Sequence, residues 1–493
     1  MKNRLKILMV FSEVAPFSKT GGLADVGGAL PKALKEMGHD VRVITPQYRR
    51  INERKYVLRD VIRLQNIEIP MDAKTVTVNV KSAFLPNSKV QIYFMDYRPY
   101  FFREGIYIDP KTNADYPDNA DRFILFCKGV LETLKKLQWQ PDVIHCNDWQ
   151  TGIIPFLIKY HDHRDPFYNK IHTLMTVHNF AFQGNFDPEC LKKLDLPDSF
   201  VFENSGIDWY GHCNFLKAGL LFSDKVNTVS EKYALEASTS DHFGFGMDQV
   251  IKKRRDKLRG VLNGVDYQVW NPETDPQISH HYSVEDMAGK TGCRQTLIND
   301  LGLEADEGLP VVAVISRLTE QKGIHLIQEV FPELIGLPVC FILLGMGDSQ
   351  FHTFFKKMAK KYPKRVSVHL KMDDLLAHKI IAGSDILLMP SLFEPCGLTQ
   401  LYALRYGTIP VVFETGGLAD TIKPFTGGAS HGTGFVFQKQ TGKSMLAALK
   451  KCIDTVQDVK ARKKINSNGM KSDFSWEKSA RQYVQLYQIC VGK

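Results

Sequence analysis

Three stretches of this 493-residue chain combine cations or carboxylates with glycine turns that lead into helices. The first is Ser18-Lys19-Thr20-Gly21-Gly22-Leu23. Gly21 and Gly22 let backbone approach a ligand, the helix that follows offers N–H groups to an anion, and Lys19 adds a point charge. The Gly-x-x-x-x-Gly-Lys spacing of a P-loop is absent, so the stretch also reads as a plain strand-to-helix turn. The second is Ser316-Arg317-Leu318-Thr319-Glu320-Gln321-Lys322-Gly323. A guanidinium fork plus a flexible ammonium suits a diphosphate, or else stands as surface charge in a loop. The third is Pro390-Ser391-Leu392-Phe393-Glu394-Pro395-Cys396-Gly397-Leu398-Thr399. Pro395 and Gly397 punctuate a helix start, so the N–H groups from Cys396 through Gly397, Leu398 and Thr399 form an anion-site candidate. Glu394 either complements that helix start or binds sugar hydroxyls.

Two histidine loops follow apolar runs: His178-Asn179, and His145-Cys146-Asn147-Asp148-Trp149. A lone histidine is usually structural, but two polar loops at adjacent strand ends point toward function. The 145–148 spacing fits no zinc pattern, so no metal site is expected. Cys396 has no histidine partner in the sequence and reads as a structural or substrate-lining thiol instead of a nucleophile. Gly345-Met346-Gly347 lacks the third glycine of a dinucleotide fingerprint. No carboxylate nucleophile is paired with an acid as in a double-displacement glycosidase. The chemistry left is one in which fixed cations and helix N-termini stabilise charge developing on a leaving phosphate.

Parallel strands must hold these loops. Residues 6–11 form a continuous apolar run, 23–37 repeat at helical spacing, and Gly38 ends the helix before a strand at 41–45. Residues 74–95 read as an inserted hairpin that interrupts the series. Helices are expected at 119–137 and 152–160, and strands at 142–145, 172–177 and 225–229. A second series of strands falls at 311–315, 341–344, 366–370, 385–389 and 409–413. The mixed, Pro-, Asp- and Gly-rich stretch 271–310 suits a linker and lead-in. This is an α/β chain of two doubly wound parallel-sheet domains facing a cleft, with ligands beyond the carboxyl ends of the strands.

The chain's net charge of +9 suits anionic ligands or a generally basic surface. The clusters Lys252-Lys253-Arg254-Arg255 and Lys460 to Lys464 lack interleaved aromatics, so each reads as a solvated helix face and no nucleic-acid partner is expected. Nine cysteines without a Cys-x-x-Cys pair suit a reducing compartment. No apolar stretch nears the ~20 residues of a membrane span. The start of the chain reads as a strand and not a signal peptide, and the expectation is a cytosolic protein.

Together and in order, Lys19-Thr20-Gly21-Gly22-Leu23-Ala24-Asp25-Val26, His178-Asn179, Asn263-Gly264-Val265-Asp266, Arg317 to Gly323, Glu394-Pro395-Cys396-Gly397-Leu398 and Thr415-Gly416-Gly417-Leu418-Ala419-Asp420-Thr421 resemble the bacterial glycogen synthase and plant starch synthase family. The resemblance spans nearly the whole chain. It implies two Rossmann-like domains in the GT-B arrangement, here 1–262 and 263–474, with a terminal helix over 475–493 crossing back onto the first. It implies retaining transfer of glucose from ADP-glucose to the 4-hydroxyl at the non-reducing end of an α-1,4-glucan, with no cofactor. By the same resemblance, Lys19, Gly21, Gly22 and Asn263 lie at the donor site, and Arg317 and Lys322 hold the diphosphate. Glu394 binds the glucose hydroxyls, and Cys396, Gly397, Leu398 and Thr399 face sugar and phosphate. His178 lies beside the reacting glucose, and Asp148 lines the sugar side. His325 stands where relatives carry a carboxylate, and Phe413-Glu414 where they place a basic residue. The alternatives are a related enzyme with another sugar nucleotide or acceptor, a phosphorylase with a pyridoxal lysine, and a glucan-binding protein without activity.

Overall fold

Ile7, Met9 and Val10 have no exposed surface and Leu8 is 2% exposed, as a strand covered on both faces requires. This strand, β1 (Lys6–Val10), sits near the middle of the first sheet of a computed structural model that describes residues 4–160, 165–197, 199–254, 258–304, 308–428 and 431–492. The other main strands of that sheet are β2 (Asp40–Pro46), β3 (Lys74–Phe84), β4 (Gln91–Asp96), β5 (Val143–Asn147), β6 (His172–Val177), β7 (Lys225–Thr228) and β8 (Leu258–Gly260). Their order is β8-β7-β6-β5-β1-β2-β4-β3, parallel except for β3. The order reverses at β1, where Ile7 pairs with Val41 on one side and Val143 on the other. Such a reversal opens a crevice beyond the carboxyl ends of the flanking strands.

The second sheet contains β9 (Val311–Ile315), β10 (Cys340–Leu344), β11 (Val366–His369), β12 (Ile386–Met389), β13 (Ile409–Phe413) and β14 (Phe435–Phe437), in the order β11-β10-β9-β12-β13-β14 and all parallel. Its reversal falls at β9, between β10 and β12. Contacts divide the chain into Met1–Gly264 with Trp476–Lys493, and Val265–Ser475. The expected boundary before residue 263 therefore moves two residues on, and Asn263 belongs to the first unit. The terminal helix Trp476–Cys490 fixes that edge, since the Ser479 hydroxyl donates to the Leu262 carbonyl at 2.6 Å.

Three expectations change. The hairpin 74–95 does not interrupt the sheet: β4 pairs antiparallel with β3 but parallel with β2, so it extends the sheet. The described part of 271–310 is no linker. It carries a helix, Ala288–Asp300, and the 1%-exposed Asp275, which bonds His378 Nδ1 and the Tyr406 hydroxyl at 2.6 Å each. Trp270 lies sandwiched between His378 and Tyr402 at ring distances of 3.6 and 3.9 Å. The cluster at 252–255 is not wholly solvated, because Arg254 is buried and donates to the carbonyls of Leu221 and Ser223. Arg255, like residues 305–307 of the expected linker, lies outside the described residues. The strands Ile67–Met71, β8 and β14 went unrecognised in the sequence because each is short or broken by polar residues. All nine cysteines are buried, and none is in a disulfide. Among the described residues no helix is long and apolar enough to cross a membrane.

Candidate functional site

In the first domain, three adjacent strands deliver the candidates. β1 leads to Glu13 and the Lys19 loop, β5 ends at Asp148, and β6 ends at His178. Asp148 adopts φ +55, a conformation an L-residue holds only against strain, and a strained residue at a strand's carboxyl end is a functional-site signal. Its Oδ1 accepts the His178 amide at 2.7 Å. Burial lifts the Asp148 carboxyl to about 7 despite the opposing amides of His178 and Asn179.

The His178 ring is oriented by Asn147. Asn147 Nδ2 donates to the Val10 carbonyl at 3.1 Å, so its Oδ1 is the atom left to accept from His178 Nε2 at 3.0 Å. The Nε2 proton is thereby assigned and Nδ1 keeps its lone pair. Desolvation holds the imidazole down to about 3, so it is neutral at physiological pH. His145, in contrast, is a core group. Its Nδ1 accepts from the Tyr487 hydroxyl at 2.8 Å, and its Nε2 donates to Thr176 Oγ1 at 2.6 Å, which donates on to Asn227.

The Lys19 loop is held at several points. Lys19 Nζ pairs with Asp25 at 2.8 Å, both on the surface, and the Lys19 carbonyl accepts from Arg50 at 3.2 Å. From below, the Thr20 amide donates to Glu13 Oε2 at 2.5 Å. Glu13 is 2% exposed, and burial raises its carboxyl to about 7. Gly21 is extended and precedes the helix Gly22–Glu36, whose opening amides have no intrahelical acceptor.

In the second domain, β9, β12 and β13 present three interlocked loops. Gly323, at φ +68, allows the β9 loop to press on Pro390: a Cβ there would stand 2.0 Å from the Pro390 carbonyl. Leu392 N donates to the Gln321 carbonyl at 2.8 Å, and Arg317 is exposed with Nη2 donating to Gln321 Oε1 at 3.2 Å. Lys322 Nζ meets Glu394 Oε2 at 2.5 Å, where side-chain exposures of 15% and 9% make this a largely desolvated pair. The Ser391 hydroxyl adds a bond to the same oxygen at 3.0 Å. The Thr415–Gly417 turn seats the Glu394 main chain. Gly417 N donates to the Glu394 carbonyl at 2.9 Å, and a Cβ on Gly416, at φ +42, would lie 2.1 Å from it.

The helix Thr399–Arg405 begins as expected, with the Leu398 carbonyl accepting from Leu401 and Tyr402. Gln400, in its first turn, is buried, with Nε2 donating to the carbonyls of Cys396 and Gly397. Cys396 is 5% exposed. His325 lies in the helix after Lys322, and Glu414 is exposed and bonded to Gln438. Asn263 is 5% exposed, within the first unit.

The structure thus gathers Lys19, Gly21, Gly22, Asp148 and His178 at the carboxyl ends of neighbouring strands of one domain, and Arg317, Lys322, Glu394, Cys396, Gly397, Leu398 and Thr399 likewise in the other. Sequence reasoning missed Glu13, Asn147, Ser391 and Gln321. Glu13 left one signal, an acidic residue directly after an apolar strand and before a glycine loop. Among the described residues no three His, Cys, Asp or Glu side chains are grouped to hold a metal ion.

Residues 6–253 match the family model of the starch synthase catalytic domain, and residues 299–472 that of the glycosyl transferases group 1. A glycogen synthase of Koribacter versatilis is 42% identical, covering 98% of this chain and 98% of that one. One of Syntrophotalea carbinolica is 40% identical over 99% of each. The catalytic domain of starch synthase IV from Arabidopsis thaliana, solved bound to ADP and acarbose, aligns at a TM-score of 0.91 and 31% identity over 100% of both chains. A sucrose-phosphate synthase from Thermosynechococcus elongatus, at 0.59 and 17%, shares the fold. Matching along its full length in sequence and structure, the chain belongs to the glycogen and starch synthase family of glycosyltransferases.

Proposed function

We propose that this protein is a retaining glucosyltransferase that carries glucose from ADP-glucose to the 4-hydroxyl at the non-reducing end of an α-1,4-glucan. The observation that carries this reading, in a chain of this family, is the desolvated Lys322–Glu394 pair at the carboxyl ends of β9 and β12, with Arg317 in the same loop as Lys322. Breaking the bond from the anomeric carbon to a diphosphate puts charge on the departing phosphate. Cations that are fixed before the reaction stabilise that charge more than the ground state. Lys322 and Arg317 meet the phosphates, while the first-turn amides of Gly397, Leu398 and Thr399 face sugar and phosphate. Both side-chain hydrogen bonds of Glu394 fall on Oε2, so Oε1 is the oxygen offered to a glucose hydroxyl. His178, neutral and with Nδ1 unprotonated, accepts a hydrogen bond beside the reacting sugar. Asp148 fixes the His178 main chain.

Attack comes from the same face as departure, and the leaving phosphate takes the proton of the acceptor hydroxyl. The cations present make neither a metal nor an organic cofactor necessary. Buried cysteines outside disulfides support a reducing, cytosolic setting. The test is nucleotide release with glycogen as acceptor, comparing ADP-glucose with UDP-glucose, with and without a chelator. Faster release from ADP-glucose, unchanged by chelation, is expected. Preference for UDP-glucose assigns a different donor. Polysaccharide binding without nucleotide release assigns a glucan-binding protein instead of an enzyme.

A further inference from the structure

We propose that Glu13 is a positioning residue, holding the Lys19–Gly22 loop from beneath through Thr20 so that Lys19 and the opening amides of the following helix meet the donor in one arrangement. The inference rests on the reading that this loop binds the donor.

A carboxylate in the interior is costly unless hydrogen-bonded, and Glu13 directs its oxygens at one place only in the loop. Oε2 takes the Thr20 amide at 2.5 Å, and the Thr20 side chain bonds the same carboxyl. The other ties on residues 19–21 are the Lys19–Asp25 pair and the Arg50 contact to the Lys19 carbonyl, both exposed, and the Ala24 amide on the Gly21 carbonyl at 3.3 Å. Glu13 is therefore the anchor shielded from water, and a charged acceptor makes a hydrogen bond roughly twice as strong as a neutral one. The seat itself is rigid. The Tyr48 hydroxyl donates to the Ser12 carbonyl at 2.7 Å, and the Tyr107 hydroxyl meets Ser12 Oγ at 2.7 Å. Gly27 leaves room for the Glu13 carbonyl, 3.2 Å from where a Cβ would sit.

The groups facing the carboxyl are Asp25 and Asp148, both raising its pKa, and the buried hydroxyls of Tyr48 and Tyr107. Burial is the largest influence, and with it the anchor loses its charge as pH falls through about 7. A purely structural glutamate has no reason to link donor binding to that interval.

Two measurements on Glu13→Gln test this: amide hydrogen exchange along residues 19–23, and the donor KM and kcat at pH 6 and pH 8. Exchange about tenfold faster at Thr20 to Leu23, with Ile7 to Val10 unchanged, is expected, along with a donor KM raised about tenfold at pH 8 and close to wild type at pH 6. Unchanged exchange at Thr20 overturns the inference, and so does a KM ratio that is the same at both pH values. Faster exchange in a protein whose wild type releases no nucleotide from ADP-glucose keeps the anchor and removes the function proposed for the loop. If Glu13→Gln does not fold, Glu13→Asp, which withdraws the charge by one methylene, is read the same way.

Discussion

Lys322 and Glu394 satisfy one another in a desolvated setting, so removing either leaves a buried charge alone. Lys322→Ala should lower kcat/KM for the donor by at least ~10-fold, with a rough ceiling near 150-fold. The double variant with Glu394→Gln should lose less than the product of the single losses, as coupled partners do. Near-native kinetics in Lys322→Ala would remove the diphosphate role. Asp148 makes a different kind of statement. Its folded pKa, about 7, lies above its ordinary value, so the native state keeps a proton that the unfolded chain has released. That contribution is full below about pH 4 and is lost as pH rises through about 7. Asp148→Asn should therefore gain stability relative to wild type between pH 5 and pH 8, by about 1–2 kcal/mol, as the half-buried position tempers the full linkage. Denaturant melts at the two pH values measure it; a constant difference would place the Asp148 pKa in its ordinary range.

At the scale of elements, the glycine turns set loops against each other. Gly416→Ala puts a methyl 2.1 Å from the Glu394 carbonyl at a φ of +42, so the Glu394 loop must shift. The expected result is a drop in kcat of about 100-fold, from roughly 3 kcal/mol of misplacement, with the far-ultraviolet circular dichroism unchanged. Wild-type kcat would show that the Thr415 turn does not seat Glu394. Much of this layer is legible in sequence. Apolar runs such as Val311–Ile315 and Ile409–Phe413 are buried on both faces and need no partner to be recognised, and the polar loops follow them directly. What sequence hides is pairing across distance. Asn147 matters because Val10, on the neighbouring strand, claims its amide nitrogen. Glu13 matters because the chain after it folds back over its carboxylate. Composition also misleads: 271–300 is polar, yet Asp275, His378 and Tyr406 satisfy one another inside, and Arg254 is buried because two carbonyls receive it. Lys460, Lys463 and Lys464 are exposed, as a charged helix face should be.

Over the whole molecule, the two units are built differently. Val265–Ser475 is one continuous segment with its own sheet, whereas the first unit draws on Met1–Gly264 and Trp476–Lys493. Removing everything after Ser475 should leave the second unit's thermal transition in place and lower that of the first by several degrees, resolved as two steps in calorimetry. A single unshifted transition would show that the terminal helix adds nothing. The helix contributes Trp476, Tyr483 and Tyr487 to the first core, and the Tyr487 hydroxyl meets His145 deep inside it.

The His145–Tyr487 bond joins residues 342 positions apart. During synthesis the ribosome delivers β1 to β8 first, then the whole of the second unit, and only then the helix that completes the first. The earlier-made domain must wait, with the seat for Trp476 and Tyr487 open, while its neighbour emerges and folds from a continuous segment. Of these two domains, the one begun first is the one finished last.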